Sequence, residues 1–186
     1  MKQSSGTSVV LILGGVRSGK SRYAQQLANQ SSRVLFVATA ERRDDEEMRQ
    51  KIYRHRAERP AHWTTIEEPL ALSRIVRSPG HDCDTILIDC LTLFSANLLE
   101  SCGDDTVSMQ LQVDELCAAL KTSPCSIILV SNELGSGVVP AYALGRRFRD
   151  LVGEMNQRVA AVADMVVLMV AGLPLPLKGS IDGGQR

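Results

Sequence analysis

The chain of 186 residues has few aromatic side chains, only three histidines and no excess of either charge. Lys+Arg and Asp+Glu each number 21, so the basic surplus typical of dedicated nucleic-acid binders is missing. No apolar run approaches the roughly 20 residues needed to cross a bilayer, and the polar start of the chain lacks the apolar stretch of a signal peptide. We therefore expect a cytoplasmic protein that has no membrane span and does not bind nucleic acid.

Disulfide and zinc chemistry are also disfavoured. The cysteines are odd in number and include no Cys-x-x-Cys pair, so we expect reduced thiols in or near the core; they are Cys83, Cys90, Cys102, Cys117 and Cys125.

The hydrophobic content of 44% is ordinary for a globular chain. The length fits one domain. We expect that domain over residues 9–178, after a loose leader at 1–8 and before a flexible tail at 179–186.

Short apolar runs alternate with helical patterns along most of the chain. Unbroken apolar runs are typical of strands that are covered on both faces; they occupy residues 8–13, 33–38, 85–89, 126–130 and 165–170. Helical patterns cover residues 19–29, 91–100, 107–121 and 141–163. A further helix is expected from Asp44 or Asp45, and a short one opened by Pro69. The alternation predicts a single-domain α/β P-loop fold, with a mostly parallel central sheet flanked by helices.

A glycine-rich segment joins the first strand to the first helix and matches the pattern GxxxxGK[ST]. Its residues are Gly14, Gly15, Val16, Arg17, Ser18, Gly19, Lys20 and Ser21. Glycines let the backbone curl so that its N–H groups face phosphate oxygens, and the helix that follows adds its positive dipole end. Lys20 can reach the β- and γ-phosphates, and Ser21 supplies a hydroxyl for Mg²⁺. The segment therefore predicts a nucleotide-phosphate site.

Two carboxylates follow neighbouring strands of the predicted sheet. Asp89 ends the third strand, where it can hold Mg²⁺ opposite Ser21. Glu133 follows the fourth strand, and two interpretations stay open for it: contact with a second substrate or a water, or a solvated loop carboxylate. The guanine-reading run Asn-Lys-x-Asp is missing, which argues against a small GTPase but not against GTP as a ligand.

The segment around His55 allows two interpretations. A neutral imidazole is a competent nucleophile toward phosphorus, and the neighbouring arginines Arg54, Arg56 and Arg59 could pair with phosphate oxygens. Alternatively, His55 packs on an apolar helical stripe, and the arginines form a solvated basic face. Periodicity does not decide between them.

Four further motifs occur in a fixed order. They are Ala38-Thr39-Ala40, His55-Arg56-x-x-Arg59-Pro60-x-x-Trp63, Asp89-Cys90-Leu91-Thr92-Leu93 and Ser131-Asn132-Glu133-x-Gly135. Together with the phosphate loop, and over about Val9 to Lys178, they resemble the bifunctional adenosylcobinamide kinase/adenosylcobinamide-phosphate guanylyltransferase family of cobalamin biosynthesis. The chain departs from this family at Phe94, where members often carry tryptophan.

The resemblance implies two reactions. A nucleoside triphosphate (ATP or GTP) phosphorylates adenosylcobinamide, and GTP then gives GMP to that phosphate through a histidine-GMP intermediate, here on His55. It implies Mg²⁺, a homotrimer, and a GTP site formed by the phosphate loop with Ala38, Thr39, Ala40, Arg56, Ala57, Glu58, Arg59, Glu67 and Asp89. The alternatives are a P-loop kinase of another small metabolite without guanylyl transfer, and a nucleotide-dependent regulatory protein.

Overall fold

The computed structural model of the chain describes residues 7–40, 60–80 and 82–180. Within these ranges the strands are β1 Val9–Gly14, β2 Val34–Ala38, β3 Thr64–Glu67, β4 Thr85–Asp89, β5 Ser126–Val130, β6 Met165–Val170 and β7 Leu173–Lys178. The helices are α1 Lys20–Ala28, α2 Leu72–Arg77, α3 Leu91–Cys102, α4 Thr106–Lys121 and α5 Ala143–Val162. No helix in these ranges is both long and apolar enough to cross a membrane.

All seven strands belong to one sheet, in the order β3-β2-β4-β5-β1-β6-β7. Neighbouring strands are parallel except for β7, which runs antiparallel to β6. Strand β1 lies between β5 and β6, and its Ile12 pairs with Val130 on one side and Val167 on the other. The predicted α/β class with a mostly parallel sheet is confirmed.

The core lies on both faces of this sheet. Successive side chains of a strand point to opposite faces, so Leu11 packs with the cluster that includes residues of α2 to α5, while Ile12 packs with α1 residues. On the α1 face, the rings of Phe36 and Trp63 stack with centroids 6.4 Å apart and an interplanar angle of 23°. This two-sided burial explains why the central strands are almost wholly apolar.

Two edge strands and one helix boundary differ from the expectations. Strands β3 and β7 were not predicted from sequence, and every residue of β7 is exposed. The helix expected to open at Pro69 begins at Leu72 instead. Its start is displaced because the Glu68 carboxylate accepts hydrogen bonds from the N–H groups of Leu70 and Ala71, at 3.2 and 2.9 Å. The chain before α2 is therefore a side-chain-capped turn.

All five cysteines carry free thiols. Cys117 and Cys125 are buried and the other three are partly buried. The Sγ atoms of Cys83 and Cys125 lie 3.2 Å apart. Burial, followed by the hydrogen bond with Cys125, raises the pKa of Cys83 to about 12. At neutral pH this thiol is protonated, so it is a poor nucleophile.

Candidate functional site

The carboxyl ends of the parallel strands bring several predicted site residues to one edge of the sheet. Ala38, the last residue of β2, pairs in register with Glu67 of β3 on one side and Asp89 of β4 on the other. Asp89 in turn pairs with Val130, the last residue of β5. Ligands of open parallel sheets bind at this edge, so the register alone places these residues where a nucleotide would lie.

The loop between β1 and α1 has the backbone that a phosphate cradle needs. Gly14 has a φ of 151° and Gly19 a φ of 97°. Residues that carry a side chain rarely adopt these backbone angles. A Cβ atom on Gly14 would lie 2.6 Å from the carbonyl oxygen of Met169 and 2.6 Å from Ser18 Oγ. The N–H of Gly172 donates to the Ser18 carbonyl at 3.0 Å. The end of β6 and the segment that follows it therefore pack against the loop.

The outer part of the same loop is open to solvent. Gly15, Val16 and Arg17 are exposed, and Val16 has 82% of its surface accessible. Gly19 caps α1 without any side-chain hydrogen bond. The first N–H groups of α1 therefore point toward the loop, where their partial positive charge favours an anion.

Lys20 is the buried cation of this loop. The residue is 9% exposed, and its Nζ donates to the carbonyl oxygen of Gly15 at 2.6 Å. Burial lowers the pKa of Lys20, while the charges of Cys90 and Asp89 oppose that shift. The ammonium group is thus held inside the loop, and it lies close enough to Asp89 at the end of β4 for the two charges to attract each other. A phosphate in the loop would replace the Gly15 carbonyl as its partner.

Ser21 and Asp89 provide donors that suit Mg²⁺. Hydroxyl and carboxylate oxygens are hard ligands, and Mg²⁺ is usually bound by one or two of them together with waters and substrate phosphates. The described residues include no group of three or more His, Cys, Asp or Glu side chains that could form an all-protein metal cage. One hydroxyl and one carboxylate are donors that fit an ion which also binds substrate phosphates.

Thr39 is placed in this region but faces inward. It is 0% exposed, its Oγ1 donates to the Cys90 carbonyl at 2.7 Å, and the same oxygen accepts from the Cys90 N–H at 2.8 Å. Asn97 of α3 donates to the Thr39 carbonyl at 2.8 Å. Thr39 thus fixes the turn that directly follows Asp89, a role that the sequence did not indicate.

A second polar cluster surrounds the chain after β5. The N–H of Asn132 donates to Thr92 Oγ1 at 2.8 Å, and the Asn132 carbonyl accepts from Asn156 Nδ2 at 2.9 Å. The N–H of Glu133 donates to the Gly14 carbonyl at 3.1 Å. Glu133 is therefore next to the phosphate loop. Sequence analysis assigned no role to Thr92 or Asn156; the available signal was a polar side chain on a buried helix face.

Part of the predicted site lies outside the described residues. This applies to His55, to Arg56, Ala57, Glu58 and Arg59, and to the helix expected from Asp44 or Asp45. Among the described candidates, Glu67 is exposed at the end of β3, Ala40 is half-buried, and His62 is exposed in the turn before Trp63.

Comparison with known proteins identifies relatives over most of the chain. Residues 10–177 match the family described as cobinamide kinase / cobinamide phosphate guanyltransferase. The chain is 49% identical over 170 residues to the bifunctional adenosylcobalamin biosynthesis protein CobP of Pseudomonas aeruginosa, covering 91% of this chain and 96% of that protein. It is 39% identical over 181 residues to the bifunctional adenosylcobalamin biosynthesis protein CobU of Salmonella typhimurium, and the match covers 91% of this chain and 99% of that protein.

Solved structures share the fold at low identity. An ATPase from the type III secretion system of pathogenic bacteria superposes with a TM-score of 0.56 and 14% identity, covering 91% of this chain and 56% of that chain. A protein from Pyrococcus horikoshii superposes with a TM-score of 0.53 and 8% identity, covering 94% of this chain and 88% of that chain. At such identities the likeness shows the fold alone.

Proposed function

Because the chain belongs to the cobinamide kinase/cobinamide phosphate guanyltransferase family, we propose that it catalyses two successive transfers. The first moves a phosphoryl group from ATP or GTP to the hydroxyl of adenosylcobinamide. The second moves GMP from GTP to that new phosphate, giving adenosylcobinamide-GDP and pyrophosphate. The observation that carries the proposal is the family match over residues 10–177, which spans a phosphate loop with a buried lysine.

The phosphate loop supports the first transfer. Its backbone N–H groups and the start of α1 can bind the phosphates of the donor, and Lys20 can neutralise charge that develops on them. Ser21 and Asp89 would hold Mg²⁺, which would supply further neutralisation of the charge on the donor phosphates. Because phosphoryl transfer depends mainly on positioning and charge, the fixed loop and the fixed turn after Asp89 are the features it requires.

The second transfer is proposed to use His55 as a nucleophile. A neutral imidazole nitrogen attacks the α-phosphorus of GTP, the bond to the pyrophosphate oxygen breaks, and GMP stays on the histidine. An oxygen of the cobinamide phosphate then attacks the same phosphorus, the P–N bond breaks, and the imidazole is neutral again. Residues Arg56 to Arg59, with Ala38, Ala40, Glu67 and Asp89, are proposed to line the GTP site. Thr39, which faces inward, is proposed to support this site by holding the turn after Asp89.

Assembly and location are part of the same proposal. By resemblance to the family, we propose a homotrimer in the cytoplasm, acting on small-molecule substrates. The domain is proposed to span residues 9–178.

The experiment uses purified protein, Mg²⁺ and GTP labelled on its α-phosphate, with quenching and separation under denaturing conditions. We expect the wild type to retain an acid-labile label and His55→Ala to carry none. His62→Ala is the matched control, since His62 is an exposed histidine seven positions along the chain, and it should label like the wild type.

Two other outcomes would change the proposal. Binding of GTP without any label on the wild type would remove the guanylyl transfer and leave a P-loop kinase of another small metabolite. Label that persists in His55→Ala but disappears in His62→Ala would keep the reaction and move the nucleophile.

A further inference from the structure

Both backbone polar groups of Asn132 are bound by side chains from two different helices. Thr92 of α3 accepts from its N–H, and Asn156 of α5 donates to its carbonyl, at 2.8 and 2.9 Å. Both side chains belong to buried residues, 7% and 5% exposed. A single residue after a strand is thus fixed from two sides, which leaves its backbone little freedom to rotate.

The residues on either side of Asn132 are bound to β1. The N–H of Ser131 donates to the Ile12 carbonyl at 2.9 Å, and the N–H of Glu133 donates to the Gly14 carbonyl at 3.1 Å. Gly14 is the first residue of the phosphate loop. The half-buried Glu133 side chain accepts the N–H of Gly135 through Oε1 at 2.7 Å, so its carboxylate has a defined position beside the loop.

Further buried polar side chains surround this segment. Ser95, Ser131 and Asn156 each bury a side-chain oxygen that has no hydrogen-bond partner among the described residues. Ser95 lies three residues after Thr92 in α3, on the same face of the helix. Burying unpaired polar atoms is unfavourable, and such local conflicts are expected where a segment serves a site rather than the fold.

We propose that Thr92 and Asn156 are positioning residues for phosphoryl transfer, and that Glu133, which they hold beside the phosphate loop, binds the acceptor hydroxyl of the substrate. The inference rests on the kinase step of the proposed function. A carboxylate at this place accepts the hydrogen bond of the hydroxyl and orients its oxygen toward the terminal phosphorus of the nucleotide in the loop. As the new P–O bond forms and the bond to the leaving nucleoside diphosphate breaks, the carboxylate takes the hydroxyl proton. Small errors in such placement lower the rate strongly.

The test compares isosteric and conservative variants of Thr92. Thr92→Val keeps the shape but loses the acceptor for Asn132, and we expect kcat for cobinamide phosphorylation to fall about 10- to 100-fold. The dissociation constant of a non-hydrolysable GTP analogue should stay near its wild-type value. Thr92→Ser retains the oxygen and should recover most of the rate. Thr122→Val, which removes an exposed hydroxyl at the end of α4, is the matched control and should change neither quantity.

Glu133→Gln and Asn156→Leu extend the same test. Glu133→Gln should lower the rate at least as much as Thr92→Val, because it removes the acceptor charge itself. Asn156→Leu should lower kcat with unchanged affinity for the GTP analogue.

Four results would overturn the inference. If Thr92→Val and Thr92→Ser behaved alike, the hydroxyl oxygen would have no positioning role. If affinity for the GTP analogue fell in proportion to the rate, Thr92 would support the fold only. A wild type that binds nucleotide but phosphorylates no cobinamide would overturn the proposed function and this inference with it. That result differs from an active wild type with unaffected variants, which would overturn the inference alone.

Discussion

Replacing Gly14 with alanine tests whether the close packing of the phosphate loop against β6 is required. The φ of 151° lies outside the region that alanine adopts easily, which costs roughly 1–3 kcal/mol. The new Cβ would also lie 2.6 Å from the Met169 carbonyl oxygen, and the backbone shift that relieves such an overlap costs about 1–3 kcal/mol. The free energy of unfolding should therefore fall by about 2–6 kcal/mol, a large part of the stability of an ordinary domain.

Gly15 provides the matched control one residue away. A Cβ built on it has no neighbour within 4 Å, and the residue has no positive φ. Gly15→Ala should change the free energy of unfolding by less than about 0.5 kcal/mol. The two variants add the same methyl group to the same loop, so composition and helix propensity do not explain a difference between them.

Urea unfolding measures both variants directly. We expect the midpoint of Gly14→Ala to shift to lower urea with an unchanged slope, and the midpoint of Gly15→Ala to stay with the wild type. Nucleotide affinity should fall in Gly14→Ala, since relieving the overlap moves the loop. Equal midpoints for the two variants would refute the reasoning, because the contact with Met169 would then not be what requires glycine at position 14.

Three more predictions concern residues around the loop. Thr39→Val should destabilise the fold by about 1–3 kcal/mol, because the buried N–H of Cys90 loses its acceptor; chemical unfolding should show this loss, and Thr39→Ser should not. Because burial lowers the pKa of Lys20 below 10.5, nucleotide affinity should weaken with rising pH before the ordinary lysine range is reached; dissociation constants measured from about pH 7 to about pH 10 that stay flat would contradict this. Hydrogen bonds from Ser108 lower the pKa of Asp105 below 3.8, so Asp105 stabilises the start of α4 above that value and this stabilisation is lost in acid. Thermal unfolding of Asp105→Ala should show a lower midpoint near neutral pH and a difference that shrinks as the pH falls.

The central strands could be predicted from sequence because their signal is local. A strand covered on both faces needs an apolar run, and β1, β2, β4, β5 and β6 each carry one. The edge strands lack this signal. Strand β3 has only four residues, and its two ends are exposed. Strand β7 alternates leucine with Pro174 and Pro176, which would disrupt a central strand but is tolerated at an edge where one side needs no hydrogen bonds.

Some parts of the site depend on one sequence segment, and others depend on contacts between residues that are far apart in the chain. The phosphate loop is continuous in sequence, so its spacing predicts it. The contacts of Asn132 with Thr92 and Asn156 join residues 40 and 24 positions apart, and they exist only because the sheet order places α3 and α5 beside the end of β5. The inward direction of Thr39 also depends on the neighbouring strand. Such relations between elements are not visible in the spacing of one segment.

The sheet order also explains which contacts hold the phosphate loop in place. Strand β1 lies between β5 and β6, so the residues that follow those two strands contact the loop from both sides: Glu133 binds the Gly14 carbonyl, and Gly172 binds the Ser18 carbonyl. Lys20 points inward and donates to the Gly15 carbonyl. A loop fixed in this way loses little further freedom on binding, which favours affinity. It recognises only phosphate, however, and phosphate is common to all nucleoside triphosphates. The guanine selection that the proposed second transfer requires must therefore come from side chains outside this loop.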